Sequence, residues 1–202
     1  MFKRIKSILL YLIVFLVLVI GGEFYMDRLK IDNLYRHGFQ LHEEQIATYL
    51  KEHYSGISKI EFSPIFITGG NGESFLQGRI VPVVYDTDGN KVYLRNDGFV
   101  KKVLVDYSMV FGTDLDFNFN DGSEIINLRD DKRRHNSVIW GQPLPENLKW
   151  VNHETTDESM EAFSHEGYLK GVEKNDQGSP QAEIVYNLEI RRVQGREFYE
   201  WK

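Results

Sequence analysis

The stretch Tyr49-Leu50-Lys51-Glu52-His53-Tyr54-Ser55-Gly56-Ile57-Ser58-Lys59-Ile60-Glu61-Phe62 changes its hydrophobic period at Gly56. Upstream, Leu34, Phe39, Ile46, Leu50 and Tyr54 recur at mostly helical spacing, about 3.6 residues per turn, and predict an amphipathic helix over residues 32–54 with Gly56 suited to its end. Gly38 weakens the middle of that helix and marks a point where it can split in two. Downstream the apolar residues alternate. Ile60, Phe62, Pro64 and Phe66 interleave with Lys59, Glu61 and Ser63, the pattern of a half-buried strand in which Pro64 marks an edge or a bulge.

The strand pattern continues to the C-terminus. A glycine-rich loop (Gly69, Gly70, Asn71, Gly72) leads to a strand over residues 75–85 with an internal Pro82, then the turn Asp86-Thr87-Asp88-Gly89-Asn90 and a return over residues 91–95, a hairpin. Val103, Val105, Tyr107, Met109 and Phe111 alternate, as do Leu115, Phe117 and Phe119, before the turn Asn120-Asp121-Gly122 and a return over residues 124–128. Residues 129–152 read as irregular, with Pro143, Pro145 and the charge run Arg129-Asp130-Asp131-Lys132-Arg133-Arg134. Thr155 and Glu158 have capping-box spacing for a short helix with Met160 and Phe163 on its apolar side and Gly167 at its close. Residues 167–173 read as a strand. After a polar turn through Asp176, Gly178 and Pro180, Ala182, Ile184, Tyr186, Leu188 and Ile190 alternate, Gln194-Gly195 turns, and residues 198–201 return. The expected class is α+β: a curved antiparallel sheet packed on the amphipathic helix.

Toward the N-terminus lies a segment of another kind. Lys3, Arg4 and Lys6 precede 16 residues, Ser7 to Gly22, that carry no charge. At about 1.5 Å per residue the run spans roughly 24 Å, and Phe24, Tyr25 and Met26 extend it past Glu23, enough for a transmembrane helix over residues 7–26. Two targeting alternatives follow. Ile20-Gly21-Gly22 has a bulky residue where signal-peptide cleavage prefers a small one, which favours a retained anchor over a cleaved signal. The basic residues on the N-terminal side place residues 1–6 in the cytoplasm and residues 27–202 outside the cell, at the cell membrane.

Composition excludes several classes of function. The chain has no cysteine, hence no disulfide, thiolate metal site or cysteine nucleophile; a cysteine-free exported domain fits a Gram-positive envelope. The first 22 residues carry three of the 24 basic residues and none of the 30 acidic ones, so the remainder has 21 basic against 30 acidic side chains, a net charge of −9. Such a domain repels nucleic acid and attracts a basic partner.

No motif names a reaction. The six histidines form no His-Glu-x-x-His pair, although His42-Glu43-Glu44-Gln45 starts like one, so no metal or cofactor is expected. Residues 86–90 resemble the start of a calcium loop, but Lys91 stands where that loop needs glycine and Asp97 where it needs glutamate, which favours a hairpin tip. No Gly-x-Ser-x-Gly elbow or phosphate loop is present, and no enzyme is expected; a hydrolase whose site assembles only in three dimensions stays as an alternative. The most suggestive feature is Asp114-Leu115-Asp116-Phe117-Asn118-Phe119-Asn120. Strand geometry sends Leu115, Phe117 and Phe119 to the core and aligns Asp114, Asp116, Asn118 and Asn120 on the other face, roughly 7 Å apart, as a candidate partner-binding stripe.

An outward-facing anchor, a small acidic cysteine-free α+β domain and the absence of catalytic motifs make the chain similar in layout to the TipC-type membrane-anchored immunity proteins of streptococci. The stretch from Tyr49 to Tyr54 followed by Ile57-Ser58-Lys59-Ile60 also resembles anchored proteins of Gram-positive bacteria. The resemblance implies a stoichiometric role: binding and occluding a secreted toxin of type VII secretion whose surface is basic or metal-bearing. An envelope sensor or ligand-binding protein is the alternative.

Overall fold

The computed structural model of the protein describes residues 2–69, 76–95, 107–108, 113–129, 134–138, 143–149, 154–194 and 200–201. Helix α1 (Phe2–His53) is continuous, and the chain divides into two compact units, Met1–Leu34 and Tyr35–Lys202. In the first unit every large apolar side chain from Leu10 to Ile20 is exposed, Leu18 at 68% and Phe24 beyond them at 78%. The most apolar window of this helix has a mean hydropathy of 1.9 and none of it is buried. By length and composition this helix is able to cross a membrane.

In the second unit the chain continues through β1 (Tyr54–Ser55), β2 (Ile57–Phe62), β3 (Ile65–Thr68), β4 (Gln77–Ile80), β5 (Pro82–Asp86), β6 (Lys91–Tyr93), β7 (Tyr107–Ser108), β8 (Thr113–Phe117), β9 (Glu124–Arg129) and β10 (His135–Val138). A single 3₁₀ turn (Glu146–Leu148), α2 (Glu154–His165), β11 (Glu173–Lys174), β12 (Glu183–Val185) and β13 (Ile190–Arg192) complete it. Val103, Val105, Met109, Phe111, the loop at Gly70–Gly72, Phe75, Phe198, and the Thr155 cap fall outside the described residues or side chains.

The class is α+β, but the described strands make four sheets, ordered β1-β11, β10-β9-β8, β12-β2-β5-β6 and β13-β3-β4-β7. The two four-stranded sheets share chain segments broken at one level: β2 stops and β3 starts around Ser63-Pro64, β4 and β5 around Val81, β12 and β13 around residues 186–189. Pro64 and Pro82 lack the N–H that an unbroken ladder needs. The break is bridged by other bonds: Ser63 N–H to Val81 O (3.0 Å), Val81 N–H to Ser63 Oγ (2.8 Å) and Ile65 N–H to Glu189 O (2.8 Å).

Three expectations about the strands are corrected. β12 and β13 pair in parallel with β2 and β3, not in an antiparallel meander; alternation says which face of a strand is apolar, not which neighbour it takes or in which direction. Residues 167–172 form turns and no strand, and β10 is a strand inside the stretch read as irregular, pairing with β9 from Arg129↔His135 to Ile126↔Val138. The hairpins β5–β6 and β8–β9 and helix α2, with Met160 and Phe163 buried, stand where the patterns put them.

Helix α1 is also more deeply embedded than an amphipathic helix on one sheet. Within the second unit Tyr35, Phe39, Leu41, Ile46, Ala47 and Leu50 are buried, and so are His42, Glu43 and Gln45. Several elements close around it. Gln45 Nε2 donates to Leu148 O (2.6 Å) and Arg129 O (3.2 Å), and Ser179 N–H donates to Lys51 O (2.7 Å). Gly38 does not break the helix. A Cβ there would lie 2.2 Å from Leu115 Cδ2 of β8, so glycine is what lets sheet and helix approach this closely. Gly56 sits at φ +78°, and a Cβ there would stand 2.0 Å from Gly171 O, which makes this the one residue type that fits the turn out of β1.

Candidate partner-binding face

Among the described strands, β8 is the outermost of the β10-β9-β8 sheet. Its residues alternate as expected: Thr113 and Leu115 are buried, Asp114 and Asp116 exposed. The inner face is anchored on α1 by Leu115 against Gly38 and by His37 Nδ1, 3.0 Å from Glu124 Oε2 at the start of β9. On the outer face Asp114 lies opposite Asn127, whose Oδ1 accepts the Ser137 hydroxyl at 2.6 Å, and Asp116 lies opposite Ile125. Both carboxylates are exposed on that outer face.

Asn118 and Asn120 do not extend this stripe. The strand ends at Phe117, where Asn118 N–H donates to Ser123 O (2.8 Å) and Gly122 N–H to Asn118 O (2.8 Å), closing a turn. Asn118 Oδ1 accepts the Asn120 N–H at 3.0 Å, and Asp121 Oδ1 accepts the Ser123 N–H at 2.9 Å. The Ser123 N–H holds the Asp121 carboxyl below the usual aspartate value. These side-chain bonds curl the backbone before the two-residue period reaches Phe119. Phe119, expected in the core, is fully exposed at 106% of its reference area. The signal that could have found this is the run of turn formers Asn118, Asn120, Asp121 and Gly122 around it.

Two other clusters of polar side chains are tied together by hydrogen bonds. Asp86 is fully buried, and its carboxylate accepts the N–H groups of Asp88 (2.9 Å), Asn90 (2.8 Å) and Lys170 (2.8 Å) and the Asn90 side-chain amide (2.7 Å). Burial alone would raise its pKa, but these donors outweigh burial and hold it below the ordinary value. The loop resembling a calcium site is a hairpin tip whose acid caps its own turn and ties it to the segment after α2. Among the described residues, no group of three or more His, Asp or Glu side chains is arranged to hold a metal ion.

Asp157 of α2 accepts the phenol of Tyr54 (2.5 Å) and that of Tyr49 (2.8 and 2.9 Å), and Lys174 Nζ lies at 2.6 Å. Burial works to raise the Asp157 pKa, but Lys174 and the two phenols bring it below its ordinary value; burial first and Asp157 second push Tyr54 far upward. Neutral phenols on an ionised carboxylate clamp α2 to the end of α1, and His53 stacks on Tyr49 with centroids 4.4 Å apart. A third carboxyl, Glu43, lies on α1. It is fully buried, Oε2 accepts the Asn187 N–H at 3.2 Å, and burial raises its pKa to about 9. Glu43 holds the β12–β13 break against the helix as a neutral acid.

Among the described residues the surface thus offers two exposed carboxylates on β8 and an exposed aromatic ring at the adjoining turn. Compared with protein-family models, with curated proteins and with solved structures, the chain matches none.

Proposed function

We propose that the protein is a membrane-anchored, outward-facing immunity protein that binds a secreted antibacterial toxin and neutralises it by stoichiometric occlusion. The observation that carries this reading is strand β8, where Asp114 and Asp116 stand exposed on a domain of net charge −9. Complementary charge steers a basic partner onto such a face and fixes its orientation. The apolar helix supports anchoring, and Lys3, Arg4 and Lys6 before it support the outward orientation.

Two experiments test the reading. Protease added to intact cells is expected to degrade the chain beyond the apolar helix; complete protection would place that domain inside and end the proposal. Reversing both charges with Asp114→Lys and Asp116→Lys is expected to shift stability by under about 0.5 kcal/mol, since both side chains are exposed. Toxin binding should weaken by at least about tenfold, most at low ionic strength. Glu158→Lys with Glu161→Lys on the exposed side of α2 changes net charge equally and is the control. Equal loss in both double variants would assign the effect to overall charge; no loss in either would leave β8 as a solvated strand.

A further inference from the structure

The bare ring of Phe119 calls for a physical account. An isolated exposed leucine or valine is ordinary on a protein surface, but a phenylalanine at the tip of a tight turn, exposed at 106%, packs against none of the described residues. Its turn is built without it: the bonds through Asn118, Asp121, Gly122 and Ser123 are made by backbone and polar side chains. Around it stand Asn120 and Asp121, both exposed, and the strand leading to it carries Asp114 and Asp116. An apolar knob in a polar, acidic collar matches the anatomy of an interface anchor, in which a buried aromatic supplies most of the affinity and the charged rim supplies orientation.

Three occupants are conceivable for such a knob. An anionic lipid surface is disfavoured by Asp121 in the turn, by Asp114 and Asp116 on the strand leading to it and by the net charge of −9. A second copy would bring Asp114, Asp116 and Asp121 against their own equivalents across a two-fold interface. A protein with a small apolar pocket rimmed by lysine and arginine satisfies both the ring and the carboxylates. We infer that Phe119 is the apolar anchor of the partner-binding face, inserting into a pocket with a basic rim on the partner protein. The inference rests on the reading of this face as a partner-binding one and adds the recognition mode.

The experiment uses the full-length anchored chain in living cells of the producing strain, with the photoreactive residue p-benzoylphenylalanine placed in turn at positions 119, 116 and 168. Tyr168, half-exposed on the turn after α2, is the control. Illumination is expected to join positions 119 and 116 to the same basic protein and position 168 to none. With the probe at 116, Phe119→Ala should cut the yield at least about 30-fold and Phe119→Trp should preserve it, while the melting temperature of the chain stays unchanged because the ring packs against none of the described residues. Crosslinking at 116 that ignores Phe119→Ala, or that occurs with no product at 119, overturns the anchor and leaves the partner-binding face standing. No protein product at either position overturns both, and a product joined to lipid or to a second copy at 119 overturns the anchor in favour of that occupant.

Discussion

Replacing Asp86 with alanine should lower the unfolding free energy of the full chain by about 3–4 kcal/mol, measured by chemical denaturation in detergent micelles. Four donors lose their acceptor at once, and the site is fully buried, so water cannot replace it without opening the β5–β6 turn. Hydrogen bonds to an ionised group contribute on the order of 1.5–3 kcal/mol each in isolation, but partial relaxation keeps the total well below their sum. Asp86→Asn should lose roughly half as much, because its carbonyl still caps the N–H groups of Asp88 and Asn90 while its amide faces the Lys170 donor. The sign with pH follows from the lowered pKa: the carboxylate contributes fully above its unfolded value of 3.8 and the contribution fades as pH falls through its own lower value. The stability difference between parent and Asp86→Asn should therefore be constant near neutrality and close in acid. A loss under about 1 kcal/mol for the alanine variant would show that the cap carries little of the fold.

Glu43→Gln should act in the opposite direction and make the protein more stable at neutral pH. With the native pKa at about 9 and the ordinary one at 4.5, the unfolded chain is ionised at pH 7 while the folded one keeps its proton. That difference costs on the order of 3 kcal/mol at pH 7, at about 1.4 kcal/mol per pH unit. The stability that Glu43 allows is thus complete below about pH 4.5 and declines until the pH passes about 9. Glutamine has the same shape, keeps an oxygen for the Asn187 N–H and has no proton to lose. Thermal melts at pH 5 and pH 8 should show the parent falling and the variant holding nearly level. A parent as stable at pH 8 as at pH 5 would mean that the acid is ionised in the fold.

Both residues show what a linear reading can and cannot reach. Asp86-Thr87-Asp88-Gly89-Asn90 announces a turn because aspartate, glycine and asparagine each favour it through local backbone bonds. The contact that buries the acid comes from Lys170, 84 residues away, and has no local signature. Glu43 stands four residues after Phe39, three before Ile46 and seven before Leu50, so helical spacing already puts it on their apolar face in spite of its charge. What has no local signature is its partner, the Asn187 N–H between β12 and β13, 144 residues away. The clamp of Tyr49 and Tyr54 on Asp157 is equally silent, since its members are more than 100 residues apart and none belongs to a spaced motif.

In the candidate face the division runs through a single heptapeptide. Asp114 and Asp116 alternate with Leu115 as strand geometry requires, while Asn118 and Asn120 leave the stripe and Phe119 leaves the core because the Asx turn at Asn118 ends the strand first. Two local preferences compete there, apolar alternation and turn formation, and the side-chain bonds of the turn prevail at the end of a short strand.

By itself the sequence determined the apolar N-terminal helix, the α+β class, the change from helix to strand at Gly56, the two hairpins and the acidic balance, since each of these depends on neighbours within a few residues or on composition alone. The tertiary structure alone decided that β12 and β13 lie parallel to β2 and β3, that α1 is enclosed on more than one side and that Glu43 meets the Asn187 N–H. Those outcomes depend on which surfaces meet, and backbone hydrogen bonds and apolar area accept many partners that only the closing of the whole chain selects.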